Sequence, residues 1–159
     1  MNKHPRYRWT AAFVLGTLGV LTACGCGDGR PKRVPVSGQV LMNGQPLAVS
    51  ADATIIVQPD KGRAATGRID PTNGSFVLTT YEPKDGCLLG THRVAVLVNA
   101  HTGGTTISLI PEKYNDAAKS GLTVTITGPT DSLKMELTGE LKPVPKDANA
   151  TAGDAPGVR

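Results

Sequence analysis

The chain has 159 residues, 17 basic against 13 acidic side chains, a formal net charge of +4 and only 4% aromatic residues. The excess sits at the start: Lys3, Arg6 and Arg8 precede residue 24, and residues 24–159 hold 14 basic against 13 acidic side chains. A body so near neutrality generates no field suited to a phosphate backbone, so nucleic-acid binding is excluded as an expected function.

After the basic opening MNKHPRYR comes WTAAFVLGTLGVL, residues 9–21, apolar or small throughout. A positive start, an apolar run of this length and then small residues is the secretory-signal pattern. A spanning helix needs roughly 20 apolar residues, so the run is too short to cross a bilayer alone. It closes on Leu21-Thr22-Ala23-Cys24, which resembles the lipobox of bacterial lipoproteins. The resemblance implies a lipoprotein signal peptide over 1–23, cleavage after Ala23, a diacylglyceryl thioether on Cys24 and an acylated (palmitate-type) new amino terminus. One acyl chain holds a protein only marginally, whereas two or more anchor it stably. The expected location is therefore the bacterial cell envelope, lipid-anchored to a membrane through Cys24, with the domain outside the cytoplasm. A metal role for Cys24 and Cys26 would need two further ligands, and no His or Cys follows at zinc-like spacing. Cys26 and Cys87 are open to pairing in an oxidising envelope. Nothing in the spacing brings their Cα atoms within about 7 Å, so free or otherwise modified thiols are the expectation.

Residues 24–33 have the glycine-rich, then charged composition of a flexible tether. Its Arg30, Lys32 and Arg33 form the one basic cluster after the signal, placed to touch lipid headgroups. Residues 34–139 read as one β domain. Val34, Val36, Val40 and Met42 alternate through VPVSGQVLM, and Asn43-Gly44 follows as a hairpin turn signal. ATIIVQP ends at Pro59, AATGRI forms a short strand over 64–69, and DPTNG is turn chemistry before SFVLT. His92, Val94, Val96 and Val98 alternate through HRVAVLVN. Leu122, Val124 and Ile126 alternate with threonines, GPTD turns the chain, and Leu133, Met135 and Leu137 alternate with Lys134 and Glu136. Seven short strands in about 105 residues, with no segment of helical period, predict a two-sheet sandwich with a Val/Ile/Leu core. Residues 140–159 are rich in Pro, Ala, Asp and Gly and are expected to form a disordered tail.

Four segments taken in order, VSGQVLMNGQPL, the strand ending Gln58-Pro59, GRIDPTNGSFVLTTY and DGCLLGTHRVAVLV, resemble a carboxypeptidase-regulatory-like (transthyretin-like) domain. IPEKY at 110–114 followed by SGLTVTI resembles small lipoproteins of the planctomycete type. The resemblance covers about residues 34–138 and implies an all-β fold, a seven-stranded prealbumin-like (transthyretin-like) Greek-key β-sandwich. His92 stands where that family often has Tyr. It implies no established activity.

Asp70, Asn73 and Gly74 lack the alternating ligands and terminal Glu of a calcium loop, so Asp70 is expected to cap the turn and Gly74 to supply a positive φ. Asp85-Gly86 reads as a β-turn. Tyr81, Tyr114, His92 and His101 match the two-tyrosine, two-histidine tally of intradiol dioxygenase iron, without that family's close His-x-His pair. Ser37, Ser75 and Ser120 sit in no G-x-S-x-G elbow. No metal, no cofactor and no catalytic residue are expected. Segment 99–121 is longer than usual connections; its Glu112, Lys113, Tyr114 and Asn115 are either a candidate binding loop or a flap packed over a sheet edge. The expected function is a non-enzymatic binding or structural module with an envelope protein or glycan as partner; the alternative is a small hydrolase or metal-dependent enzyme on a prealbumin-like fold.

Overall fold

The computed structural model describes residues 31–146 and residue 148. The chain divides into Met1–Arg30 and Pro31–Arg159. Cys24, Cys26 and the expected signal peptide fall in the first unit, outside the described residues; most of the expected tail, in the second unit, is also outside them.

The described residues are all-β. In chain order the strands are β1 (Arg33–Val34), β2 (Val36–Met42), β3 (Gln45–Pro46), β4 (Asp52–Pro59), β5 (Ala65–Arg68), β6 (Ser75–Val77), β7 (Cys87–Leu88), β8 (Gly90–Thr102), β9 (Thr105–Ser108), β10 (Leu122–Ile126) and β11 (Thr130–Leu137). One turn of 3-10 helix, Glu112–Asn115, interrupts them. The larger sheet runs β10-β8-β4-β5, with β9 also on β8. The smaller runs β11-β2-β3, with β6 also on β2, and β1 and β7 pair separately. All pairings are antiparallel except β11 with β2, which is parallel.

The seven expected strands correspond to β2, β4, β5, β6, β8, β10 and β11. The other four have two to four residues each. Alternation puts one face of each long strand inside: Ala53, Ile55 and Val57 on β4, and Val94, Val96, Val98 and Ala100 on β8, are buried. They share one hydrophobic cluster with Val36, Val40, Met135 and Leu137 of the smaller sheet, which gives the molecule its sandwich-like character. Each such aliphatic side chain contributes about 1.5–3 kcal/mol on full burial.

Close approach of backbone fixes Gly38 and Gly86, among other glycines. At Gly38 a Cβ would lie 2.0 Å from the Leu133 carbonyl oxygen, because the β11–β2 register shifts between Thr130 and Leu133. At Gly86, where φ is +85°, a Cβ would lie 1.8 Å from the Val34 carbonyl oxygen. The Asn43-Gly44 turn forms as expected, with φ of 52° and 80°, the positive pair that matches strand twist in a two-residue hairpin. Asn43 exchanges two hydrogen bonds with the Gly139 backbone, and Gly44 N–H donates to Glu136 Oε1 at 2.6 Å. Within the expected tail, Lys142 N–H donates to Leu109 O at 2.8 Å. Val144 and Ala148 pack against the core.

Candidate functional site

The segment 99–121 is no open loop. β8 continues to Thr102, three residues past the expected strand, and turns through Gly103-Gly104 into β9. Beyond β9, Leu109 N–H donates to Val98 O at 2.8 Å and the Ser120 hydroxyl to Val94 O at 2.5 Å. Since β10 takes up the pairing from Val94 to Gly90, β9, this connection and β10 together line one edge of β8. The segment satisfies backbone groups that an exposed edge would offer to other chains.

Tyr114 is 3% exposed. Its hydroxyl donates to Thr138 O at 3.1 Å and accepts from Thr138 N–H at 2.9 Å, tying the 3-10 turn to the end of β11. Burial pushes the phenol up, but the Thr138 hydroxyl and N–H together with the Lys113 ammonium outweigh it and hold it below its ordinary value. Asn115 donates to Ser108 Oγ at 3.2 Å and is half-buried. Of the four candidate binding-loop residues, Tyr114 and Asn115 thus bond the protein's own framework. Glu112 and Lys113 are exposed, with the Lys113 ammonium 4.7 Å from the Tyr114 ring centre.

Among the described residues a highly connected polar group lies elsewhere, in a loop read from the sequence only as a turn. The Asp85 carboxylate accepts N–H bonds from Thr80 at 2.7 Å, Tyr81 at 3.0 Å and Glu82 at 3.1 Å, and meets Arg33 Nε at 2.9 Å. Burial pushes this carboxyl up, but the three N–H donors and the guanidinium outweigh it and hold it below its ordinary value. Arg33 and Arg63 both lie over the Tyr81 ring, at 4.9 and 5.5 Å from its centre. Arg33 is therefore spent on the fold and largely covered, which corrects its expected place in a free basic cluster. The missed signal was Asp-Gly itself: three of its partners lie within five residues, and the fourth, Arg33, comes from β1, far away in sequence.

The remaining candidates separate. Asp70 caps its turn as expected, accepting from Thr72 N–H at 2.8 Å and from the Thr72 hydroxyl, and Gly74 has φ of 73°. His92 is buried: Nε2 donates to Leu88 O at 2.8 Å, and Nδ1 has no partner. His101 is exposed near the other end of β8, with Thr106 Oγ1 at 3.1 Å and Asp52 Oδ2 at 3.4 Å. Nine residues of extended strand separate the two histidines by about 30 Å, so they cannot share one iron. Among the described residues no group of three or more His, Cys, Asp or Glu is placed to hold a metal ion. Cys87 is free and buried, and burial pushes its thiol up to about 11. An open groove of about 610 Å³ lies between Arg68, Asp70, Phe76, Val77 and Lys84. No helix among the described residues is long and apolar enough to cross a membrane.

No protein-family model, no curated protein and no solved structure matches this chain.

Proposed function

We propose that the chain is an envelope lipoprotein, anchored to a membrane by lipid on Cys24, whose domain is a non-catalytic binding or structural module of the prealbumin-like, carboxypeptidase-regulatory-like Greek-key type. The observation that carries the anchor is Leu21-Thr22-Ala23-Cys24 closing a basic-then-apolar start. The Greek-key reading is supported by the crossing of the chain from β10, beside β8, to β11, beside β2. The non-catalytic reading is supported by how polar side chains are used: Asp85, Asp70, Ser120, His92 and Tyr114 all bond backbone groups of their own domain. The partner class is an envelope protein or a surface glycan.

Expression in a bacterial host with membrane fractionation and intact-mass analysis tests the anchor. The expected product begins at Cys24, carries the added mass of acyl chains and stays with membranes in high salt. Cys24→Ala is expected to leave unprocessed precursor or unlipidated protein; an unchanged membrane-bound, unacylated product in both cases would overturn the proposal.

A further inference from the structure

The two ends of the sandwich differ in charge and in where the chain enters. β8 has 13 residues and at about 3.3 Å per residue defines a long axis of about 40 Å. At its Gly90 end stand β1, β7 and the loops over 60–64, 80–86 and 127–129, because Pro59 pairs with His92, Ile126 with Gly90 and Arg33 with Leu88. This end carries Lys32, Arg33, Lys61, Arg63, Lys84 and Arg93 against Asp60, Glu82, Asp85 and Asp131. At the Thr102 end stand the β8–β9 turn, the starts of β3 and β4 and the end of β11. There Asp52, Asp70, Glu112, Glu136 and Glu140 stand against Arg68, Lys113 and Lys142. The domain is thus basic at one end and acidic at the other.

The basic end has the other marks of a surface that meets lipid. Arg63 lies over the Tyr81 ring and meets no carboxylate among the described residues. Lys61 and Lys84 are exposed. Leu89, one of three exposed large hydrophobic residues among those described, projects from the same end at 41% exposure. A leucine, a half-buried tyrosine and several cations suit the boundary between headgroups and acyl chains.

We infer that the Gly90 end is a membrane-docking face for anionic lipid headgroups, and that the β8–β9 turn points away from the bilayer. The inference rests on the proposed anchor at Cys24. From there the chain reaches Arg33 in nine residues, at most about 30 Å, so the tether delivers this end first. Headgroup charge is felt over about 8 Å at physiological ionic strength, while the acidic end stands about 40 Å away. The surface potential then pulls one end and leaves the other in solution.

The test uses the processed, lipidated chain in a Cys26→Ser background, with an environment-sensitive thiol label at Thr127→Cys or Thr105→Cys; Cys87 is buried and does not compete. Vesicles contain phosphatidylglycerol and a headgroup-nitroxide lipid. Quenching is expected to be several-fold stronger at 127 than at 105, to even out with Lys61→Glu/Arg63→Glu, and to even out in the parent at high salt. Equal quenching at both positions in the parent, or a difference indifferent to charge reversal and salt, would overturn the docking face while flotation in high salt still shows the anchor. Loss of flotation in high salt would instead remove the anchor and, with it, the orientation built upon it.

Discussion

Among single residues, Cys87 shows how burial rather than chemistry decides a thiol's behaviour. It is 1% exposed beside β1, and its thiol is pushed from an ordinary 9.0 to about 11. A group whose folded pKa is raised contributes stability that is complete below the unfolded value and lost as pH rises through the folded one. The window is therefore about pH 9 to 11. Comparing urea unfolding of the parent and of Cys87→Ala across that window is expected to show the parent losing stability faster. Tyr114 is common to both proteins and cancels. The full effect is on the order of 3 kcal/mol. In the native protein at pH 8, Cys87 is expected to react with thiol reagents only through unfolding; rapid labelling of the folded protein would contradict its burial.

At the scale of elements, the edge cover of β8 is formed by the segment that the sequence left open between a packed flap and a binding loop. The segment 99–121 carried Ile110, Pro111 and Tyr114, unusual side chains for a solvated loop. Leu109, Ile110 and Tyr114 are buried, and the cover joins β9, the 3-10 turn and the end of β11. Tyr114→Phe keeps the ring and removes the hydroxyl from both Thr138 backbone groups, at an expected cost of about 1–3 kcal/mol. Tyr114→Ala also empties the ring's site, for about 3–5 kcal/mol. Thermal unfolding checks both, since each kcal/mol moves the midpoint of a domain this size by about 4–8 °C. Equal, negligible losses would mean that the ring does not hold the cover in place.

Taken as a whole molecule, the domain is tied together at the end where β1 and β7 pair. Asp85 joins β1 through Arg33 to the loop ahead of β7, and Gly86 lets that loop lie directly on Val34. Asp85→Asn is expected to cost about 1–3 kcal/mol, because a charge-assisted acceptor of three N–H groups becomes a neutral one and Arg33 loses its counter-ion. The sign with pH follows from the lowered carboxyl: its contribution is present above the ordinary value of 3.8 and is lost as pH falls through the folded value. Acid unfolding of the parent should therefore lose this term, whereas Asp85→Asn has none to lose. Parallel acid limbs for the two proteins would show that the carboxylate does not hold this end.

Much of the fold was legible because it rests on period. Alternating apolar residues marked the longest of the seven expected strands, and Asn43-Gly44 and Asp70 to Gly74 marked turns whose conformations follow from side chains within a few residues. The lipobox pattern at Cys24 is likewise local, and it remains the ground for the proposed anchor. The sequence alone also determined that the net excess of positive charge lies largely before residue 24. Tertiary structure decided what depends on distant partners: that Arg33 serves Asp85 instead of facing solvent, that Tyr114 turns inward to Thr138, and that His92 and His101 stand far apart on one strand. It also decided that evenly scattered charges gather into a basic and an acidic end. A period of two fixes which face a residue takes, but only chain crossing and register set which residues from separate strands meet.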